Sequence, residues 1–90
     1  MNPTRILLVD DHALVRAGIR ALIEGTPGIE VIAETGDGDE ALRIIGELHP
    51  DLVLLDITIP SLNGFEVLEQ ITKQYPQTRV IILTVHEVVM

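Results

Sequence analysis

Short aliphatic runs alternate with longer amphipathic segments along the chain. Three of the runs are continuous, which is typical of strands covered on both faces of a sheet. The second run contains Glu30 and Glu34, so we place it at an edge of the sheet. The predicted strands are Arg5–Val9, Ile29–Thr35, Leu52–Leu55 and Arg79–Thr84.

The segments between the runs carry apolar residues at helical spacing. The second segment spaces its apolar residues from Ala41 to Leu48 at i, i+3, i+4 and i+7, the pattern of one buried helix face. Strands that alternate with helices predict one parallel sheet with right-handed crossovers. The predicted helices are Ala13–Glu24, Asp39–Leu48 and Asn63–Gln74.

The first predicted helix carries its arginines on one side. We expect Arg16 and Arg20 to face solvent, opposite an apolar stripe that faces the sheet. The residues of this stripe are Val15, Ile19, Leu22 and Ile23.

The composition excludes several classes of function. A net charge of −8 argues against direct nucleic-acid binding, which requires Lys and Arg against phosphate. The absence of cysteine excludes disulfides and thiol chemistry. No run approaches the roughly 18 apolar residues of a membrane span, and the first residues lack the pattern of a signal peptide. Ninety residues with 47% hydrophobic content fit one domain with an aliphatic core, and we expect a soluble cytoplasmic protein.

Three acidic residues lie where predicted strands end: Asp10 and Asp11 after the first strand, and Asp56 after the third. Parallel strands end at the same edge of a sheet, and neighbouring strands lie roughly 5 Å apart, so the carboxylates converge if these strands are neighbours. Like charges at close range resist joint ionisation unless a cation or protons neutralise them. Oxygen ligands suit Mg²⁺, which is therefore the expected cofactor.

Simpler roles remain open for each of these residues taken alone. Asp10 and Asp11 fit a cap for the helix that begins near Ala13, where acids favour the positive end of the helix dipole. Asp56 fits a strand end that faces solvent. Thr84 fits an ordinary β-branched strand residue as well as a hydroxyl that binds an anion. The three histidines lack the spacing of a zinc site, and the sequence contains no Gly-rich phosphate loop.

Several motifs together resemble the receiver domain of two-component response regulators. The histidine after the acid pair and the Thr-Val-His segment resemble the NarL/FixJ-type branch of that family. The resemblance implies a flavodoxin-like, doubly wound α/β fold with strand order 2-1-3-4 for the strands present. The segments that carry it are Leu8–His12, Asp37–Leu42, Asp51–Ile57, Ile59–Gly64 and Ile82–His86.

The resemblance also implies a role for each matching residue. Asp56 would accept the phosphoryl group, and Asp10 and Asp11 would bind Mg²⁺, Asp11 the more directly. Thr58 would offer its backbone carbonyl to the metal, and Thr84 would be the hydroxyl that switches toward the phosphoryl group. The implied function is acceptance of a phosphoryl group from a sensor histidine kinase, followed by a conformational switch that controls transcription through an output domain. Such a domain is a phosphoryl acceptor rather than an enzyme, with residual self-phosphorylation from small phosphodonors and self-dephosphorylation.

The sequence departs from the family pattern after the fourth strand. The family's fifth strand, its lysine, its switch aromatic and its last helices would lie beyond Met90, and Lys73 on the third predicted helix does not replace that lysine. We therefore expect residues 1–90 to be a receiver domain that is incomplete at its C-terminal end. We also expect a homo-oligomer formed through Arg79–Thr84 and the tail Val88–Met90.

Two alternatives belong to other classes. The first is a truncated or engineered (βα)₄ fragment that self-associates and lacks signalling competence. The second is a metal-dependent phosphatase, which an Asp-x-Asp motif at the first strand would support. Residue 12 is His, so the sequence disfavours the phosphatase.

Overall fold

A computed structural model gives the fold and describes residues 2–57 and 64–83. Four parallel strands form one sheet in the order β2-β1-β3-β4. This arrangement confirms the predicted α/β fold, its strand order and the edge position of the second strand. The strands are β1 (Thr4–Val9), β2 (Ile29–Thr35), β3 (Leu52–Asp56) and β4 (Arg79–Leu83).

Three helices join the strands: α1 (Ala13–Glu24), α2 (Gly38–Leu48) and α3 (Gly64–Gln74). Helix α2 begins one residue earlier than predicted because Asp37 caps it. The Asp37 carboxylate accepts the backbone N–H of Glu40 at 3.1 Å, which satisfies an amide that has no partner within the helix. Among the described helices, all fall short of the length and hydropathy that crossing a membrane requires.

The main core lies between the sheet and the helices α2 and α3. Leu7 and Val9 of β1 are fully buried in it. Because side chains alternate along a strand, Ile6 and Leu8 lie on the other face of the sheet, and they are buried too. Full burial of one such side chain contributes about 1.5–3 kcal/mol, so β1 is the centre of the fold in energy as well as in position. The buried core residues from the other elements are Ala41, Ile44, Ile45, Val53, Leu55, Val67 and Ile71.

The predicted orientation of α1 was partly wrong. Ile23 is buried and Val15 and Ile19 are half-buried, but Leu22 is 75% exposed. The positions 15, 19 and 23 form a stripe with a spacing of four residues, and this stripe is too narrow to include position 22. The side chain of Arg16, which we expected in solvent, is only 22% exposed because partners on other elements hold it.

Arg5 ties the amino end of β1 to the end of α2. Its Nη1 donates to the carbonyl of His49 at 2.9 Å and its Nη2 to the carbonyl of Leu48 at 2.7 Å. Its backbone N–H donates to Asp51 Oδ2 at 2.9 Å. A cation at a helix C-terminus meets the carbonyls that lack helical partners, and it also interacts favourably with the dipole.

Strand β4 is the least covered strand of the sheet. Ile81 is 50% exposed and Ile82 is 39% exposed. Within residues 2–57 and 64–83, β3 is the only strand that pairs with it. Thr84, which we predicted as the last residue of this strand, lies outside the described residues.

Candidate functional site

The candidate site lies at the carboxyl ends of β1 and β3. These strands are neighbours, and Val9 pairs in register with Leu55, so Asp10 and Asp56 leave the sheet side by side. One ligand atom from each of Asp10, Asp11, His12 and Asp56 lies within 4.8 Å of all the others. The structure therefore brings the three predicted carboxylates together and adds an imidazole.

Two backbone hydrogen bonds hold Asp10 in place. Its backbone N–H donates to the carbonyl of Thr35 at 2.9 Å, and its Oδ1 accepts the backbone N–H of His12 at 2.7 Å. The residue is fully buried, and among the described residues its buried Oδ2 has no hydrogen-bond partner. A buried anionic oxygen that lacks a donor costs free energy, which a bound cation would recover.

The three carboxylates differ in access. Asp10 and Asp56 are completely buried, whereas the side chain of Asp11 is 33% exposed. A cation that enters the cluster therefore meets Asp11 at the surface and the other two below it. Carboxylate oxygens are the ligands that Mg²⁺ prefers, and Mg²⁺ keeps several waters, which suits a cluster open on one side. The donor set fits this ion.

His12 is the site residue that the sequence analysis missed. Its Nδ1 lies 2.8 Å from Asp10 Oδ1, 3.1 Å from Asp11 Oδ1 and 3.5 Å from Asp56 Oδ2. The hydrogen bond to Asp10 and the charge of Asp11 raise the pKa of His12 above its usual value. The ring is 52% exposed, so it covers the cluster from the solvent side. Its place directly after two acids at a strand end was the only signal in the sequence.

Helix capping does not account for the acid pair. Helix α1 begins after His12, whose side chain makes no capping hydrogen bond, and its first turn contains no acidic residue. The carboxylate of Asp10 binds the N–H of His12 itself rather than an amide within the helix. The simpler alternative that we left open for Asp10 is therefore not what the structure shows.

A close backbone contact joins Ile57, the residue after Asp56, to Gly64 at the start of α3. The N–H of Gly64 donates to the carbonyl of Ile57 at 3.3 Å, and a Cβ at position 64 would lie only 2.2 Å from Ile57 Cα. Position 64 therefore has no room for a side chain. Thr58 and Thr84, to which we assigned a metal-binding carbonyl and a switch hydroxyl, lie outside the described residues, so both roles stay predictions.

A family model, the response regulator receiver domain, matches residues 6–90. The chain belongs to this family. Its relatives include the transcriptional regulatory protein LiaR of Bacillus subtilis, 42% identical over 80 residues that make up 89% of this chain and 38% of LiaR. The nitrate/nitrite response regulator protein NarL of Escherichia coli K12 is 36% identical over 84 residues, 93% of this chain and 39% of NarL. These relatives confirm the NarL-type branch, and the chain spans less than half of their length.

Solved receiver structures share the fold. The response regulator domain of Thermotoga maritima CheB superposes with a TM-score of 0.87 at 40% identity, covering 92% of this chain and 61% of that one. A LuxR-family response regulator from Aurantimonas sp. SI85-9A1 gives the same TM-score at 43% identity, covering 96% of this chain and 61% of that one. The chain is thus a receiver domain of the type found in NarL-like two-component response regulators.

Proposed function

We propose that Asp56 accepts a phosphoryl group from a phosphohistidine of a sensor histidine kinase, in a reaction that requires Mg²⁺. The acceptance would switch the conformation of the domain and so control transcription through an output domain. The observation that carries the proposal is the meeting of three carboxylates within 4.8 Å at the ends of two adjacent parallel strands. LiaR, which is similar to this chain, is a transcriptional regulatory protein.

The chemistry needs little covalent machinery. A carboxylate oxygen of Asp56 attacks phosphorus, and a P–O bond forms as the P–N bond to the imidazole breaks. The imidazole leaves as a neutral ring when its other nitrogen carries a proton. Mg²⁺, held by Asp10, Asp11 and Asp56 and by the carbonyl of Thr58, would screen the negative charges that must approach one another.

The residues around Asp56 restrict the direction of approach. Asp56 is completely buried beside the equally buried Asp10, so a donor reaches it from the side where Asp11 and His12 meet solvent. Thr84 would supply the hydroxyl that turns toward the bound phosphoryl group. The only lysine of the 90 residues, Lys73, pairs on α3 with Glu69 at 2.8 Å and is not a group of this site.

Trapping the acyl phosphate tests the acceptor. We expect acetyl phosphate with Mg²⁺, followed by borohydride reduction and mass spectrometry, to modify Asp56 alone. Asp56→Asn should abolish the label, whereas Asp51→Asn, at the opposite end of the sheet, should leave it unchanged. A label on another residue, or one that persists in Asp56→Asn, would refute the assignment.

We also propose that the chain associates with a second copy through β4. Ile81 and Ile82 expose apolar surface, and within residues 2–57 and 64–83 only one edge of β4 is paired, so the other edge offers backbone groups to another chain. Sedimentation of the 90-residue chain at micromolar concentrations should show a dimer or larger species. Ile81→Lys should shift the distribution toward monomer, because a charged side chain on an edge strand opposes pairing. A folded monomer at every concentration would contradict this proposal.

A further inference from the structure

Arg16 of α1 reaches the loop that holds two of the three carboxylates. Its Nη1 donates to the backbone carbonyl of Asp10 at 2.5 Å, and its Nε donates to Glu34 Oε1 at 3.3 Å. Arg20, one turn later, also donates to the Glu34 carboxylate, but its other partner is Glu24 at 2.9 Å. Of these two arginines, therefore, only Arg16 connects β2 to the candidate site.

The bond from Arg16 fixes a peptide group of the site. A peptide is planar, so holding the carbonyl of Asp10 also fixes the direction of the N–H of Asp11. The preceding peptide is held as well, since the N–H of Asp10 donates to the carbonyl of Thr35. With both peptide groups of Asp10 held, the direction in which Asp11 leaves the strand is set.

Gly36 supports the same loop from β2. A Cβ at position 36 would lie 3.0 Å from Asp11 Cα, 3.3 Å from Arg16 Nη1 and 3.4 Å from the carbonyl oxygen of Asp10. The first two distances are shorter than ordinary contacts, so a side chain at position 36, just after β2, would push the Asp10–Asp11 backbone or the Arg16 guanidinium away by a few tenths of an ångström. Arg16 and Gly36 therefore define one position for the Asp10–Asp11 peptide.

The charge of Arg16 and its hydrogen bond predict opposite effects on a metal. A fixed cation near a carboxylate cluster repels a second cation, so the charge alone weakens Mg²⁺ binding. The hydrogen bond keeps the most exposed carboxylate, Asp11, beside Asp10 and Asp56, which strengthens binding. The direction in which Mg²⁺ affinity changes when Arg16 is removed therefore shows whether its charge or its hydrogen bond dominates.

We propose that Arg16 is a positioning residue for Mg²⁺: it orients the peptide between Asp10 and Asp11 and so sets where the Asp11 carboxylate lies. The inference rests on the Mg²⁺ site of the proposed function. Groups that support metal ligands without touching the metal are typically worth tenfold or more in affinity.

Titration of the ¹⁵N-labelled 90-residue chain with Mg²⁺, followed by amide chemical shifts, tests this role. We expect Arg16→Met to weaken Mg²⁺ binding by roughly tenfold, near the lower end of such effects. Arg20→Met is the matched control: it removes the same charge and a bond to the same Glu34 but no contact with Asp10. It should leave the affinity unchanged or slightly higher. Arg16→Lys should recover part of the loss, because an ammonium can still donate to the carbonyl of Asp10.

Two further measurements keep the inference separable from folding and from the site assignment. In Mg²⁺-free buffer the amide signals of Asp11 and His12 should move in Arg16→Met and not in Arg20→Met. Gly36→Ala should also weaken Mg²⁺ binding, without any change of charge. Equal or tighter binding by Arg16→Met would overturn the positioning role while leaving the site intact. Equal binding by Asp11→Asn and the unaltered chain would instead refute the site and, with it, this inference.

Discussion

At its amino end, β1 carries Arg5, whose guanidinium meets the carbonyls of Leu48 and His49. At its carboxyl end, beyond four buried residues, it leads into Asp10, which meets two further carboxylates and an imidazole. In the described hydrogen bonds, the backbone N–H and both terminal nitrogens of Arg5 each donate to an oxygen. The second end places like charges together, and among the described residues one carboxylate oxygen of Asp10 has no donor.

The difference shows how one strand combines stability with a candidate functional site. A matched cation at a helix end stabilises the fold, whereas clustered anions cost free energy until a ligand arrives. The fully buried side chains between the two ends keep the costly end in place. Departures from local charge balance in a well-packed domain are expected at functional sites.

The largest expected effect comes from removing the Arg5 contacts at the amino end of β1. Arg5→Met should lower the free energy of unfolding by about 1.5 kcal/mol, through the loss of two charged hydrogen bonds at a helix C-terminus. Urea unfolding followed by circular dichroism measures the change. Arg79→Met is the control, since it removes an equal charge at the same end of the sheet from an exposed residue. Equal losses in both variants would mean that net charge, rather than the Arg5 contacts, is responsible.

Removing one of the clustered charges at the carboxyl end of β1 should change the free energy of unfolding in the opposite direction. Asp56→Asn should raise the free energy of unfolding in Mg²⁺-free buffer by about 1 kcal/mol, because one of two adjacent buried carboxylates becomes neutral. The same variant should lose the stabilisation that Mg²⁺ gives to the unaltered chain. Asp51→Asn makes the same chemical change at the amino end, where Asp51 accepts the N–H of Arg5, and it should not stabilise. Destabilisation by Asp56→Asn would show that its charge is already compensated.

The smallest effect concerns the ion pairs that link α1 to β2. Hydrogen bonds from Arg20 and then Arg16 lower the pKa of Glu34 below its ordinary value of 4.5. The charged form is favoured in the folded state, so this stabilisation is complete above pH 4.5 and is lost as the pH falls through the lower folded pKa. The urea midpoint of the unaltered chain should therefore fall more steeply with acidification than that of Glu34→Gln. Parallel curves for the two would exclude a contribution from Glu34.

Hydrophobic periodicity predicted every strand and helix of the described fold, with ends that differ by no more than one residue. The aliphatic runs succeeded because β1 and β3 are buried on both faces, where polar residues are excluded. The same periodicity failed for Arg16 and Leu22. Apolar residues occur on more than one face of α1, and the partner that holds Arg16 near the sheet, Glu34, lies 18 residues from it in sequence.

The acid cluster followed from strand ends, but the rest of the site did not. Asp10, Asp11 and Asp56 were predictable because the carboxyl ends of adjacent parallel strands meet at one edge. The direction of the His12 ring depends on the loop conformation, and the bond from Arg16 joins a side chain to a backbone carbonyl. Backbone acceptors are identical at every position of a sequence, so no pattern of residue types reveals which one an arginine will reach.

The contact between Ile57 and Gly64 joins the residue after Asp56 to the first residue of α3. Residues 57 and 64 touch directly, so their backbones are fixed relative to each other. A side chain at position 64 would push the start of α3 away from the residue that follows Asp56. The placement of the phosphoryl acceptor proposed here thus depends on a residue with no side chain, eight positions further along the sequence.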